Sequence, residues 1–167
     1  VVLASALLTG FTAAPASAAT STTATVSWSE TAGTAATAAA RPRNGRILYD
    51  RISGGQGTLK VKNGTSRDAV VTLVRGKSKA ISVYVRARST AKVNDVRDGT
   101  YRIFFTSGYR FSVSKGRFAR GASYQRFDDR LRFTTTSSSA TIWTLTLNPV
   151  KGGNARTSGV NPKDFPA

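Results

Sequence analysis

The chain has 167 residues, with 25 Lys and Arg against eight Asp and Glu, a formal charge of +17, and no Cys, His or Met. Without Cys there is no disulfide, no thiolate nucleophile and no Cys-ligated metal; without His the commonest general base and metal ligand is missing. Ser-His-Asp, Cys-His and the usual zinc hydrolase sites are thereby excluded.

In chain order, residues 1–18 read as a secretory signal peptide. An apolar run from Val1 to Ala14 is followed by Pro15 and by Ala16-Ser17-Ala18, a small-x-small cleavage site. A basic n-region and a Met at position 1 are lacking, so a truncated N-terminus or an alternative start is expected. Residues 19–56 read as a disordered linker. Up to residue 40 it is almost wholly Ala, Thr and Ser, side chains that bury too little apolar area to offset chain entropy. Next comes a basic collar, Arg41-Pro42-Arg43-Asn44-Gly45-Arg46. No Lys or Arg precedes Arg41, so all 25 positive charges lie beyond the leader, together with seven of the eight acids.

From Gly57 the pattern has period two. Polar and apolar residues alternate in Thr58 to Lys62, and Ala69 to Val74 is a continuous apolar run suited to a strand covered on both faces. Ile81, Val83 and Val85, then Tyr101, Ile103 and Phe105, then Leu131 and Phe133, then Trp143, Leu145 and Leu147 mark further strands. Asn63-Gly64, Arg75-Gly76, Asp98-Gly99, Ser107-Gly108 and the Thr/Ser cluster at 134–139 supply turns. No helical stripe interrupts them. About seven short strands at roughly 8–12-residue spacing predict an all-β fold, a single antiparallel β-sandwich of Ig-like or prealbumin-like type over residues 57–150. An up-and-down barrel is the alternative. The predicted inward set is Leu59, Val61, Val71, Leu73, Ile81, Val83, Val85, Tyr101, Ile103, Phe105, Phe133, Trp143, Leu145 and Leu147. Tyr84 and Phe104 are placed outward. Residues 151–167 read as an extended tail, offered to a partner, mobile, or laid along the sandwich with Phe165 as anchor.

Asp98-Gly99-Thr100-Tyr101 has the form of a turn whose Tyr hydroxyl bonds back to the turn backbone. The step resembles one in prealbumin-like and carboxypeptidase-regulatory-like sandwiches, which implies a fold and no activity. A wider set resembles a family of small secreted or lipoprotein-like proteins of Gram-positive, actinobacterial bacteria. The set comprises Asn63-Gly64-Thr65, Asp68 to Val71, Asp98 to Tyr101, Ser123 to Asp128, Trp143 to Leu147, Gly152 to Ala155 and Phe165-Pro166. The resemblance implies export and a sandwich fold.

Catalysis would fall to carboxylates, Lys or Tyr. Asp128 and Asp129 are neighbours, so on a strand they face opposite ways. Asp95 and Asp98 read as turn residues, and with Asn94 they make a weak calcium candidate inside a positive field. Ser114 beside Lys115 is a chance pairing in a chain rich in both. The chain is read as a non-enzyme that needs no cofactor and no metal.

The charge carries the functional expectation. Lys60, Lys62, Arg86, Arg102, Arg130 and Arg132 fall on outward strand positions. The richest stretch, 110–132, interleaves Arg with Tyr109, Phe111, Phe118, Tyr124 and Phe127. Guanidinium forks bind phosphate, sulfate and carboxylate, and aromatic rings stack on bases or sugars. The predicted binding residues are Arg110, Arg117, Arg120, Tyr124, Arg126, Arg130 and Arg132. The expected role is a secreted or cell-wall-associated module that binds an anionic wall polymer or other polyanion. A peripheral contact with anionic membrane is a further expectation, and the chain is expected to be a monomer. The alternative is a protein-interaction or inhibitor module with no polyanion role.

Overall fold

The computed structural model describes residues 40–148 and 155–166. The expected signal peptide and residues 19–39 of the expected linker lie outside the described residues, as do residues 149–154 and Ala167. The described strands, in chain order, are β1 (Ile47–Asp50), β2 (Gly57–Asn63), β3 (Asp68–Arg75), β4 (Ser78–Val85), β5 (Ser89–Val96), β6 (Gly99–Ser112), β7 (Arg117–Phe133), β8 (Ile142–Thr146) and β9 (Thr157–Gly159). A single 3-10 turn, Pro162–Asp164, follows β9.

They form two packed sheets, one of order β1-β4-β3-β6-β7-β9 and one of order β5-β2-β8. The all-β sandwich expected from the two-residue period is thus the observed fold. Its ladders are antiparallel except for β2 with β8, which run parallel from Thr58↔Ile142 to Lys62↔Thr146. The long connection that parallel pairing requires is supplied by the five strands between them.

The core lies between the sheets. Leu59 and Val61 are buried while Lys60 and Lys62 stay exposed, the alternation of a half-buried strand. β3 is buried from Asp68 to Val74. It is central in its sheet, with Val71 and Leu73 in the sandwich core and Val70 on the opposite face. Of the predicted inward set only Trp143 fails. It is 38% exposed at the start of edge strand β8, where its indole N–H donates to the Arg132 carbonyl at 2.8 Å.

Other residues join the core unpredicted. Ala91, Val93 and Val96 come from β5, a strand whose alternation is broken at Asp95. Asp95 takes φ 64° where the β2–β5 register shifts between Gly57 and Leu59. The two-residue rhythm restarts out of phase beyond it. Phe127 and Leu131 come from β7.

Residues 40–56 differ from the disordered linker expected of them. Ile47–Asp50 adds an edge strand to β4, Ile52 enters the core and Pro42 is buried. Asp50 accepts the Ile52 and Ser53 amides at 2.9 and 3.0 Å, closing a side-chain turn after the strand. The tail is laid along the sandwich. β9 pairs with β7, and Phe165 packs edge-on against Phe104 and Tyr124, with ring centroids 6.1 and 5.1 Å away.

Tyr101 behaves as its turn predicts: its hydroxyl donates to the Arg97 carbonyl at 2.8 Å. Asp98 accepts from the amide and hydroxyl of Thr135, which joins the same turn to the segment after β7.

Candidate functional site

The long β6–β7 hairpin positions most of the predicted binding residues. Up to Ser107↔Ser123 it belongs to the six-stranded sheet, with one register shift between Arg102 and Phe104; a second shift follows between Ser107 and Tyr109. Gly108 lies so close to its partner strand that a Cβ there would stand 2.7 Å from the Phe118 Cβ and 3.0 Å from the Arg120 carbonyl oxygen. Arg110 then takes φ 54°, a left-handed conformation that a non-glycine residue adopts at a cost. Past this point Phe111 and Phe118 lie against Tyr84 and Val70 on the outer face of the sheet. The rings of Phe111 and Tyr84 are 5.3 Å apart, and those of Phe111 and Phe118 are 5.0 Å apart. Tyr84 does face away from the sandwich core, as predicted, but it is fully buried under this cover. It offers no stacking surface, which corrects the outward role given to it.

Under the hairpin sits Asp68, the first residue of β3. Arg41 holds its carboxylate with two N–H groups, the Tyr84 hydroxyl donates to it, and the Ala87 amide donates at 2.8 Å. Burial disfavours the Asp68 anion, but these donors outweigh it and hold the carboxyl below its ordinary pKa. Burial, followed by the bond to Asp68, pushes the Tyr84 phenol up to about 12. It therefore stays a neutral donor at physiological pH. Arg41 and Asp68 form the only ion pair among the described residues. A signal for this pair is present in the sequence. An acid opening an apolar strand needs a donor, and the collar supplied one.

Beside this pair lies a cleft of ≈ 1030 Å³. Ser66, Asp68 and Arg41 line one side; Tyr109 to Ser112, Ala119 and Arg120 of the hairpin line the other. The Tyr109 ring is 43% exposed, and the Arg67 guanidinium lies 5.5 Å from its centroid. Buried Asn63 shapes the loop that carries Ser66 and Arg67, donating to the Arg67 carbonyl at 2.7 Å and accepting from Thr65.

The seven predicted binding residues therefore do not form one patch. Arg110 and Arg120 line the cleft. Arg117 is exposed, opposite Ser112 where the hairpin turns. Tyr124 is half-buried beneath Phe165. Arg126 and Arg130 pair across the ladder with Phe104 and Arg102. With Arg102 and Asp128 they line a depression of ≈ 180 Å³. Asp128 directs its carboxylate to the Ser158 hydroxyl at 2.6 Å. Arg132 is exposed opposite Thr100. Arg102 had been placed outward by its alternation, yet its convergence with Arg126 and Arg130 depends on a bulge. Asp128 and Asp129 are extra residues in β7, between Arg130, opposite Arg102, and Arg126, opposite Phe104.

Among the described residues no group of three acidic side chains is placed to hold a metal ion. Asp98 is engaged by Thr135, and the Ser114 hydroxyl is shared with Ser112 at 3.2 Å. No family model matches the chain, and comparison with curated proteins and with solved structures finds no match either.

Proposed function

We propose that this chain is a secreted, non-catalytic β-sandwich module that binds a polyanion, such as an anionic wall polymer, at the bacterial envelope. The observation that carries this reading is the convergence of Arg102, Arg126 and Arg130 on one depression. Among the described residues none of the three is in an ion pair, although Asp128, bonded to Ser158, shares the depression. Three guanidinium forks from two neighbouring strands gathered at one depression can bond anionic groups of a polymer. The surrounding excess of positive charge steers such a polymer toward them.

The test is binding to purified anionic wall polymer, heparin and single-stranded DNA across a sodium chloride series. Affinity is expected to fall linearly in log–log form. The triple variant R102A/R126A/R130A should lower the slope by roughly two to three, since each anion contact contributes about 0.7–0.9. A flat salt response would overturn the reading. That result favours a protein partner, a second reading supported by edge strand β8, where Ile142 is 63% exposed beside Trp143.

A further inference from the structure

The cleft between Asp68 and the hairpin is separate from the Arg102 depression and has a different chemistry. We propose that it binds a single anionic sugar unit, a pyranose bearing a carboxylate or phosphate. The ligand class rests on the polyanion reading above; the place and the residues do not.

Four observations support this site. First, it is concave, and at ≈ 1030 Å³ it has room for a sugar unit; the depression at Arg102 is about a sixth of that volume. Second, its one acid is already neutralised. Asp68 is bonded to Arg41, and among the described residues Arg110 and Arg120 have no carboxylate in ion-pair reach. Third, the exposed ring of Tyr109 stands beside them, with Ser66 and Ser112 supplying hydroxyls to the lining. This is the mixture of ring face, hydroxyl and guanidinium that a charged sugar requires.

The fourth observation is strain. Arg110 is held at φ 54°, a conformation that glycine or asparagine adopts more easily. A fold under no functional demand gains by replacing Arg there. Of the three non-glycine residues with positive φ, Arg88, Asp95 and Arg110, only Arg110 lines the cleft, and strain of this kind gathers at binding sites.

The experiment is calorimetric titration of the full chain at pH 7 and constant ionic strength. The probes are glucuronic acid, glucose 6-phosphate, glucose and inorganic phosphate. Both charged sugars should bind one to one, phosphate should bind about tenfold more weakly, and glucose should give no heat. Arg110→Gly should weaken both charged sugars about tenfold or more while the melting temperature holds or rises, because the left-handed residue is relieved. Lys92→Ala removes the same charge from exposed β5 of the other sheet and should change nothing. Tyr109→Ala should weaken the sugars and leave phosphate unaffected.

Failure of both charged sugars to saturate at millimolar concentration overturns the site. Equal losses from Arg110→Gly and Lys92→Ala also overturn it, since they would mean bulk charge alone. If the sugars fail while long polymers still bind with a steep salt response, only the cleft is refuted. If the sugars bind while polymers do not, the cleft stands and the polymer reading falls.

Discussion

Asp68 is tied to three stretches of chain at once: Arg41 from the N-terminal segment, Tyr84 from β4 and the Ala87 amide after it. Its folded pKa is held below the ordinary value. A depressed carboxylate adds stability that is fully present above its unfolded pKa of about 3.9 and is lost as pH falls through the folded value. The parent protein should therefore keep this contribution at neutral pH and lose it below about pH 4. Asp68→Asn removes the charge-assisted bonds at every pH. It should cost about 2 kcal/mol at pH 7, below the range for a fully buried pair because Arg41 is about half exposed and screened by solvent. Urea unfolding midpoints from pH 7 down to about pH 3 check this. The gap between parent and variant should narrow toward the acid end; parallel curves would sink the assignment. The same residue shows where sequence reasoning stopped. Asp68 is visible as an acid before an apolar run. Its partner lies 27 residues earlier, in a collar whose composition is that of a solvated linker.

At the scale of elements, the β6–β7 hairpin decides both the outer face and the cleft. Its closure depends on Gly108, because a Cβ there meets the Phe118 Cβ and the Arg120 backbone, neither of which is a flexible chain end. Gly108→Ala should cost about 1–3 kcal/mol, the range for an overpacked contact. Amide exchange should quicken in residues 109–120 and around Tyr84 while the core of β2 and β5 keeps its protection. Uniform loss of protection would mean that the hairpin does not open as a unit. This hairpin is also the part of the fold least legible in the sequence. Regular alternation located β2, β4 and the first half of β6, a continuous apolar run located β3, and an Asp-Gly-x-Tyr turn located the Tyr101 hydrogen bond. Alternation fails where the ladder is irregular. A two-residue bulge at Asp128-Asp129 and a register shift after Ser107 interrupt β7. A 17-residue strand with those breaks cannot be phased from its ends. The Arg residues of 110–132 were therefore recognisable as exposed cations, while their division between a cleft and a depression was not. The small, polar edge strand β9 carries no apolar period to be read.

For the whole molecule, the excess of positive charge has consequences of opposite sign for folding and for binding. The 25 Lys and Arg outnumber the acids about threefold, and the described residues hold a single ion pair. Long-range terms within the folded domain are thus mostly repulsions between exposed cations, which oppose compaction. Salt screens them with a Debye length of about 10 Å at 0.1 M. Little attraction is lost in return, since the one pair is partly buried and less readily screened. The melting temperature should therefore rise as sodium chloride is raised from about 20 to 300 mM. A gain of roughly 1 kcal/mol corresponds to about 3–5 °C for a domain of this size. Over the same range polyanion affinity should fall, because bound polymer must compete with salt for the arginines. Calorimetric melts and binding isotherms in one salt series test both arms together. A flat or falling melting temperature would show that cation repulsion is not the dominant long-range term. The surface would then have to be holding the fold through attractions that the single Arg41–Asp68 pair cannot supply.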